Sequence, residues 1–193
     1  MYDAICLASG GLDSMLCLHL LHARGIETLP AFVNYGQLNC KKEWRSLASA
    51  CKLYGFKDPV VFDVSGFGTV IKTGLTDRTL RVNEAAFTPN RNLLFFTLAS
   101  LLAFFKGVTN IVVGFFAERS AIFSDQTDRF LRSVESTLAE SLGSKIRIHS
   151  PLRDFTKRDV VLMAKSRGLT SYYSCHAGTD EPCGKCIACL EYL

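Results

Sequence analysis

The 193-residue chain contains no uncharged apolar stretch long enough to cross a bilayer. Its longest, residues 92–105, covers 14 positions against the ~20 a spanning helix needs, so no membrane partner is expected. The first residues, MYDAICLASGG, show no basic segment followed by an apolar run, so no secretory signal is read there and the expected location is cytoplasmic. No Lys/Arg run reaches five, and there is neither an internal repeat nor a low-complexity tract. A disordered chain is excluded by composition, which is 48% hydrophobic and 21% charged with a net charge of +4. A chain of this length buries roughly 70% of its unfolded surface and needs no staples to hold a core. The mild positive charge suits an anionic ligand without requiring a nucleic acid.

The chain does have eight cysteines. In a reducing compartment clustered cysteines bind metal or do chemistry rather than form disulfides. Around them, short apolar runs alternate with segments of helical period. Residues 4–8, 28–35, 59–64, 110–116 and 145–149 are predicted strands. Residues 12–24, 39–54, 92–106, 124–142 and 156–167 are predicted helices, the last with Thr156 as cap and Gly168 as stop. Residues 65–90 show no clear period and read as a lid, a binding loop or an irregular insertion. Alternation of this kind predicts an α/β, Rossmann-like parallel sheet with helices on both faces, whose ligands bind beyond the carboxyl ends of the strands. The expected division is a main domain over residues 1–170 and a small C-terminal segment, residues 171–193, too short and cysteine-rich to own a core.

Between the first strand and the first helix runs Ser9-Gly10-Gly11-Leu12-Asp13-Ser14. Two glycines let an anion approach the backbone. The helix that begins there offers unpaired N–H groups and the positive end of its dipole. The Ser9 and Ser14 hydroxyls can donate to the same anion. Asp13 beside a phosphate needs a partner for its charge, either Mg²⁺ or a backbone N–H. The loop is neither G-x-G-x-x-G nor G-x-x-x-x-G-K-[ST], so neither a dinucleotide fold nor a γ-phosphate transferase is implied. It resembles the PP-loop, S-G-G-x-D-S, of the ATP pyrophosphatases. That resemblance implies an adenine-nucleotide alpha-hydrolase-like fold that cleaves ATP between its α- and β-phosphates and holds pyrophosphate on the loop. AMP passes to a carboxylate or carbonyl oxygen, and an amine, ammonia or sulfur then displaces it.

Near the C-terminus Cys175, Cys183, Cys186 and Cys189 fall within 15 residues. Cys183-Gly-Lys-Cys186 resembles a zinc knuckle, and four thiolates at this spacing suit a closed tetrahedral Zn²⁺ site, with an iron–sulfur cluster as the rival and free thiols as the third reading. His176 adjoins a ligand, but four cysteines need no histidine. Cys6, Cys17, Cys40 and Cys51 read as small core residues, none as a nucleophile.

Further motifs recur in order: Tyr35-Gly36-Gln37, Phe87-Thr-Pro-Asn-Arg91-Asn92, Ser150-Pro151-Leu152 with Lys157, and the four-cysteine tail. Together they resemble the 7-cyano-7-deazaguanine synthase family, QueC, nearly end to end. The resemblance implies adenylation of the carboxylate of a 7-deazaguanine, addition of ammonia to give an amide, and dehydration to a nitrile with a second ATP. It implies Mg²⁺, a structural Zn²⁺ held by Cys175, Cys183, Cys186 and Cys189, and a homodimer. Carried over, Asp13, Ser14, Arg91 and Lys157 become the catalytic set. Ala8, Ser9, Gly10, Gly11, Leu12, Asp13, Ser14, Tyr35, Gly36, Gln37, Arg91, Asn92 and Gly114 become the nucleotide site. The chain departs from the family's pattern at Asn90, where the family has glycine, and over residues 119–126, where an aromatic-Ser-Gly-Tyr-Pro-Asp-Cys stretch retains only a serine and Asp125. Those departures leave a second reading open, a QueC-like enzyme of a bacterial antiviral system that links the activated carboxylate to an amine of a protein acceptor. A tRNA-modifying PP-loop enzyme and a zinc-knuckle nucleic-acid binder fit less well. The 21 aromatics fall largely in core runs such as Leu94-Phe95-Phe96, and no reactive cysteine pair stands out.

Overall fold

A computed structural model of the protein describes residues 1–82, 85–117, 119 and 122–192. Five strands pair in parallel: β1 (Ala4–Leu7), β2 (Thr28–Asn34), β3 (Val60–Asp63), β4 (Asn110–Val112) and β5 (Arg147–His149). Their order is β3-β2-β1-β4-β5. The chain steps outward from β1 to β2 and β3, then crosses back to lay β4 on the other side of β1. That reversal opens a crevice at the carboxyl ends of β1 and β4, the place where such sheets bind ligands.

Alternation along the strands divides two cores. Ala4 and Cys6 of β1, with Phe32 and Val112, pack under α1 (Leu12–His22), α2 (Cys40–Tyr54) and α6 (Lys157–Ser166). Ile5 of β1, with Leu29, Ala31 and Ile111, packs under α4 (Arg91–Lys106) and α5 (Asp128–Leu142). Helices on both faces are therefore as the sequence implies. Cys6, Cys17 and Cys51 are buried core residues and Cys40 is half-buried. Burial pushes the Cys6 thiol up to about 12, as suits an inert thiol.

Several element boundaries differ from the sequence reading. β4 stops at Val112 rather than residue 116, because the chain leaves the ladder at Gly114 to press against the start of α1. The single long helix expected over 124–142 is a 3-10 turn, Ser124–Gln126, followed by α5; Thr127 separates them by accepting the Phe130 N–H at its hydroxyl, 3.2 Å. Thr156 caps α6 in a capping box with Asp159, as expected. Within residues 65–90 lies a short α3 (Gly66–Val70), and beyond it the buried hydroxyls of Thr73, Thr76 and Thr88 bond to one another. Asn90 takes φ +57°, the left-handed conformation in which glycine is easiest and asparagine next. Of the divergent stretch 119–126, residues 120 and 121 lie outside the described part.

Candidate active site

A cavity of about 300 Å³ opens at the crevice. Ala8, Ser9, Gly11, Leu12, Asp13 and Ser14 line it, with Tyr35, Gln37, Arg91, Asn92, Gly114 and Lys157. Two expected members, Gly10 and Gly36, stand behind the wall and shape it. Gly10 has φ +86°, and a Cβ there would lie 2.4 Å from the Glu43 carbonyl oxygen, so only glycine lets the loop fold against α2. A Cβ on Gly114 would lie 3.0 Å from the Asp13 carbonyl carbon and 3.1 Å from the Ser14 nitrogen. The exit from β4 thus rests directly on the phosphate-loop backbone. The two serine hydroxyls are used within the loop: Gly11 N–H donates to Ser9 Oγ at 3.2 Å, and Ser14 Oγ donates to the Gly11 carbonyl at 3.0 Å.

Asp13 has a partner that neither sequence option supplied. The Lys157 ammonium donates to both of its carboxylate oxygens, at 2.8 and 2.9 Å. The same ammonium lies 3.1 Å from Glu191 Oε2 and over the rings of Phe116 (5.4 Å) and Tyr192 (5.3 Å). Burial favours the neutral amine, but Asp13 and Glu191 outweigh it and raise the Lys157 pKa above its ordinary value. α6 brings Lys157 here, its first turn fixed by the Thr156 cap.

Across the cavity Arg91, the first residue of α4, lays its guanidinium over Tyr35 (5.8 Å) and Phe95 (5.9 Å), with its Nε unpartnered. Near it is Glu43, whose carboxylate accepts the Gln37 amide at 3.1 Å. Burial lifts the Glu43 carboxyl to about 7, against the Gln37 hydrogen bond and the Arg91 charge, which pull it down. The native state then holds a proton that the unfolded chain has released, so stability is lost as pH climbs from about 4.5 towards 7. Glu43→Gln is expected to flatten that part of the stability profile, which is worth up to about 3 kcal/mol for a shift of this size. Thermal unfolding of both proteins at pH 5 and pH 8 checks it; the same loss in both would show that Glu43 ionises freely.

The tail closes the site. Tyr173 N–H donates to the Gly10 carbonyl at 2.9 Å, Leu12 N–H donates to Ser174 Oγ at 3.3 Å, and Asn39 Nδ2 donates to the Cys175 carbonyl at 3.2 Å. The four sulfur atoms of Cys175, Cys183, Cys186 and Cys189 lie within 4.8 Å of one another. A single tetrahedral zinc with ~2.3 Å bonds needs sulfur–sulfur edges of roughly 3.8 Å. Cys183–Cys189 at 3.9 Å and Cys186–Cys189 at 3.4 Å bracket that value, whereas an iron–sulfur cluster would push the sulfurs apart. Backbone N–H groups point at them as well: Cys183 N at 3.4 Å from Cys175 Sγ, Cys186 N at 3.3 Å from Cys183 Sγ and His176 N at 3.4 Å from Cys186 Sγ. Burial raises the Cys175 thiol, but the N–H groups of Cys183 and Ala177 outweigh it and bring it to about 6. The donor set fits one soft divalent ion.

The sequence reading did not single out Glu43, Ser174 or Glu191 as site residues, and gave His176 no role there. Glu43 carried a signal, since it lies four residues before Leu47 on the stripe that continues through Ala50 and Cys51. A carboxylate on an apolar stripe marks a buried polar group. The tail residues have no periodicity to betray them.

The family described as "Queuosine biosynthesis protein QueC" matches residues 3–192. The chain belongs to the QueC family. Among curated relatives, the 7-cyano-7-deazaguanine synthase of Campylobacter curvus is 29% identical, the match covering 98% of this chain and 90% of the relative. That of Laribacter hongkongensis is 28% identical over 97% and 86%. Solved structures share the fold at low identity. The U34-tRNA thiolase NcsA of Methanococcus maripaludis, with its [4Fe-4S] cluster, superposes with a TM-score of 0.62 at 16% identity, covering 89% of this chain and 59% of that one. A predicted tRNA methyltransferase subunit from Methanocaldococcus jannaschii gives 0.56 at 19%, covering 86% and 75%. A PP-loop fold and a synthase-like, ATP-using role go with QueC membership. Among the described residues no helix is long and apolar enough to cross a membrane.

Proposed function

We propose that this protein is an ATP-dependent carbon–nitrogen ligase that converts the carboxylate of a 7-deazaguanine to a nitrile. The observation that carries the reading is the meeting, in one cavity, of the Ser9–Ser14 loop with two cations, Lys157 and Arg91, from opposite sides. A carboxylate oxygen attacks the α-phosphorus of ATP, the bond to the β-phosphate bridge breaks, and pyrophosphate leaves. Ammonia attacks the acyl carbon, AMP departs with the bonding pair, and a proton is lost to give the amide. The amide oxygen attacks a second ATP, expelling a second pyrophosphate. Loss of AMP and the remaining N–H protons leaves the nitrile.

In this chain the N–H groups at the start of α1 receive the leaving pyrophosphate, where the helix dipole favours negative charge. Lys157 stands over the loop from α6 and neutralises charge as it develops. Arg91 orients the carboxylate, its fork geometry matching two oxygens. Asp13 and Glu191, both in contact with the Lys157 ammonium, are the carboxylates that would hold Mg²⁺, which when bound would screen the phosphates. The four cysteines hold Zn²⁺ as a structural ion. Incubation with Mg·ATP, ammonia and 7-carboxy-7-deazaguanine is expected to yield AMP, pyrophosphate and the nitrile by mass spectrometry. ADP and phosphate would overturn the PP-loop chemistry, and an adenylate or amide that goes no further, or reacts only with a protein amine, would overturn nitrile formation.

A further inference from the structure

Three buried polar atoms near the cavity have no hydrogen-bond partner: Arg91 Nε, Asp125 Oδ1 and His176 Nδ1. Arg91 and His176 line the cavity, and Asp125 adjoins it through Asn92, whose amide donates to the Asp125 carbonyl at 3.4 Å. Native structures leave few buried polar atoms unsatisfied, and those that remain call for an explanation such as a ligand. Of the three, Arg91 already has a place in the chemistry above, and of the other two it is His176 that lines the cavity.

His176 is held by its own backbone. Its N–H donates to Cys186 Sγ, which pins its backbone to the cysteine cluster. Among the described residues the sulfur group gains no histidine, so the imidazole is not a fifth ligand. The side chain instead forms part of the cavity wall beside Ser174, Ile187 and Glu191. Lys157, from the first turn of α6, and Arg91, from the first turn of α4, line the same cavity, so His176 shares its wall with both cations.

We infer that His176 is a substrate-contacting residue, its ring nitrogen hydrogen-bonding the carboxylate that is to be activated. The inference rests on the ligase reading for the identity of that carboxylate. It gives the cysteine segment a task beyond bracing, because it is the tail that presents this group.

The test compares wild type with His176→Ala and His176→Asn, the second keeping an amide near the position of Nδ1. His176→Ala is expected to raise KM for 7-carboxy-7-deazaguanine roughly 10- to 100-fold, the range for a hydrogen bond to a charged group. ATP affinity and zinc content should stay within about twofold, and His176→Asn should recover most of the loss. Unchanged KM in the alanine variant overturns the inference. So does a loss shared equally by ATP binding and zinc content, which would mark a bracing role. If wild type releases no AMP and pyrophosphate, the ligase reading fails instead. Calorimetric binding of the same carboxylate to wild type and His176→Ala then decides the inference, and no binding, or equal binding, overturns it.

Discussion

Lys157→Met is expected to slow ATP cleavage by orders of magnitude while also destabilising the fold. The ammonium satisfies Asp13 on two oxygens and Glu191 on a third, and its side chain is only 13% exposed. Deleting it leaves two carboxylates facing each other at the mouth of a helix dipole with no cation between them. Breaking one partner out of a buried ion pair costs about 3–5 kcal/mol, with the lower end suited to a site that opens on solvent. Losing a charged donor over the transferring phosphoryl group is expected to reduce turnover about 10²- to 10³-fold. The two effects separate in a double-mutant cycle. Asp13→Asn combined with Lys157→Met should regain much of the thermal stability, because Glu191 then faces a neutral amide instead of a second carboxylate, and regain none of the AMP release. Recovery of activity in the double variant would show that the pair only holds the structure.

Disrupting the proposed zinc site of the tail is expected to have the second large effect. Structural zinc in small knuckle-like units contributes about 10–16 kcal/mol of folding free energy. Cys186→Ser should therefore release the segment 171–193, seen as loss of bound zinc and loss of its protection from proteolysis. The five-stranded sheet carries its own two cores and should keep its secondary structure. ATP binding should fall with the zinc, because Ser174 caps the Leu12 N–H, Tyr173 holds Gly10, and Glu191 holds Lys157. A variant that loses zinc and retains wild-type ATP affinity would show the tail to be separable from the nucleotide site.

Much of this is legible in the sequence. The strand–helix alternation, the two-sided packing and the phosphate loop follow from local apolar runs and a motif with a mechanical reason for each residue. That the four tail cysteines gather into one metal-ligand group follows from their spacing. What failed was of another kind. No periodicity announces that Lys157 reaches Asp13, because their pairing is made by packing α6 against α1 across 144 positions. β4 was read too long because its apolar run continues to Phe116, while the close approach of Gly114 to Asp13 that ends the ladder is a tertiary fact. Glu43 was passed over because the helix pattern around it was judged by its apolar members. Its place on the same stripe was visible in the spacing.

The hydrogen bond from Leu12 to Ser174 joins residues 162 positions apart. The cost of closing so long a loop grows only slowly with its length, so distance in sequence barely weakens the finished site. It does bear on assembly, because loop-closure entropy must be met before a contact of such separation rewards it. In a chain still being synthesised, Leu12 has no Ser174 to donate to until the C-terminal segment has been made, so the first and last parts of the sequence meet over this loop only when synthesis is nearly complete.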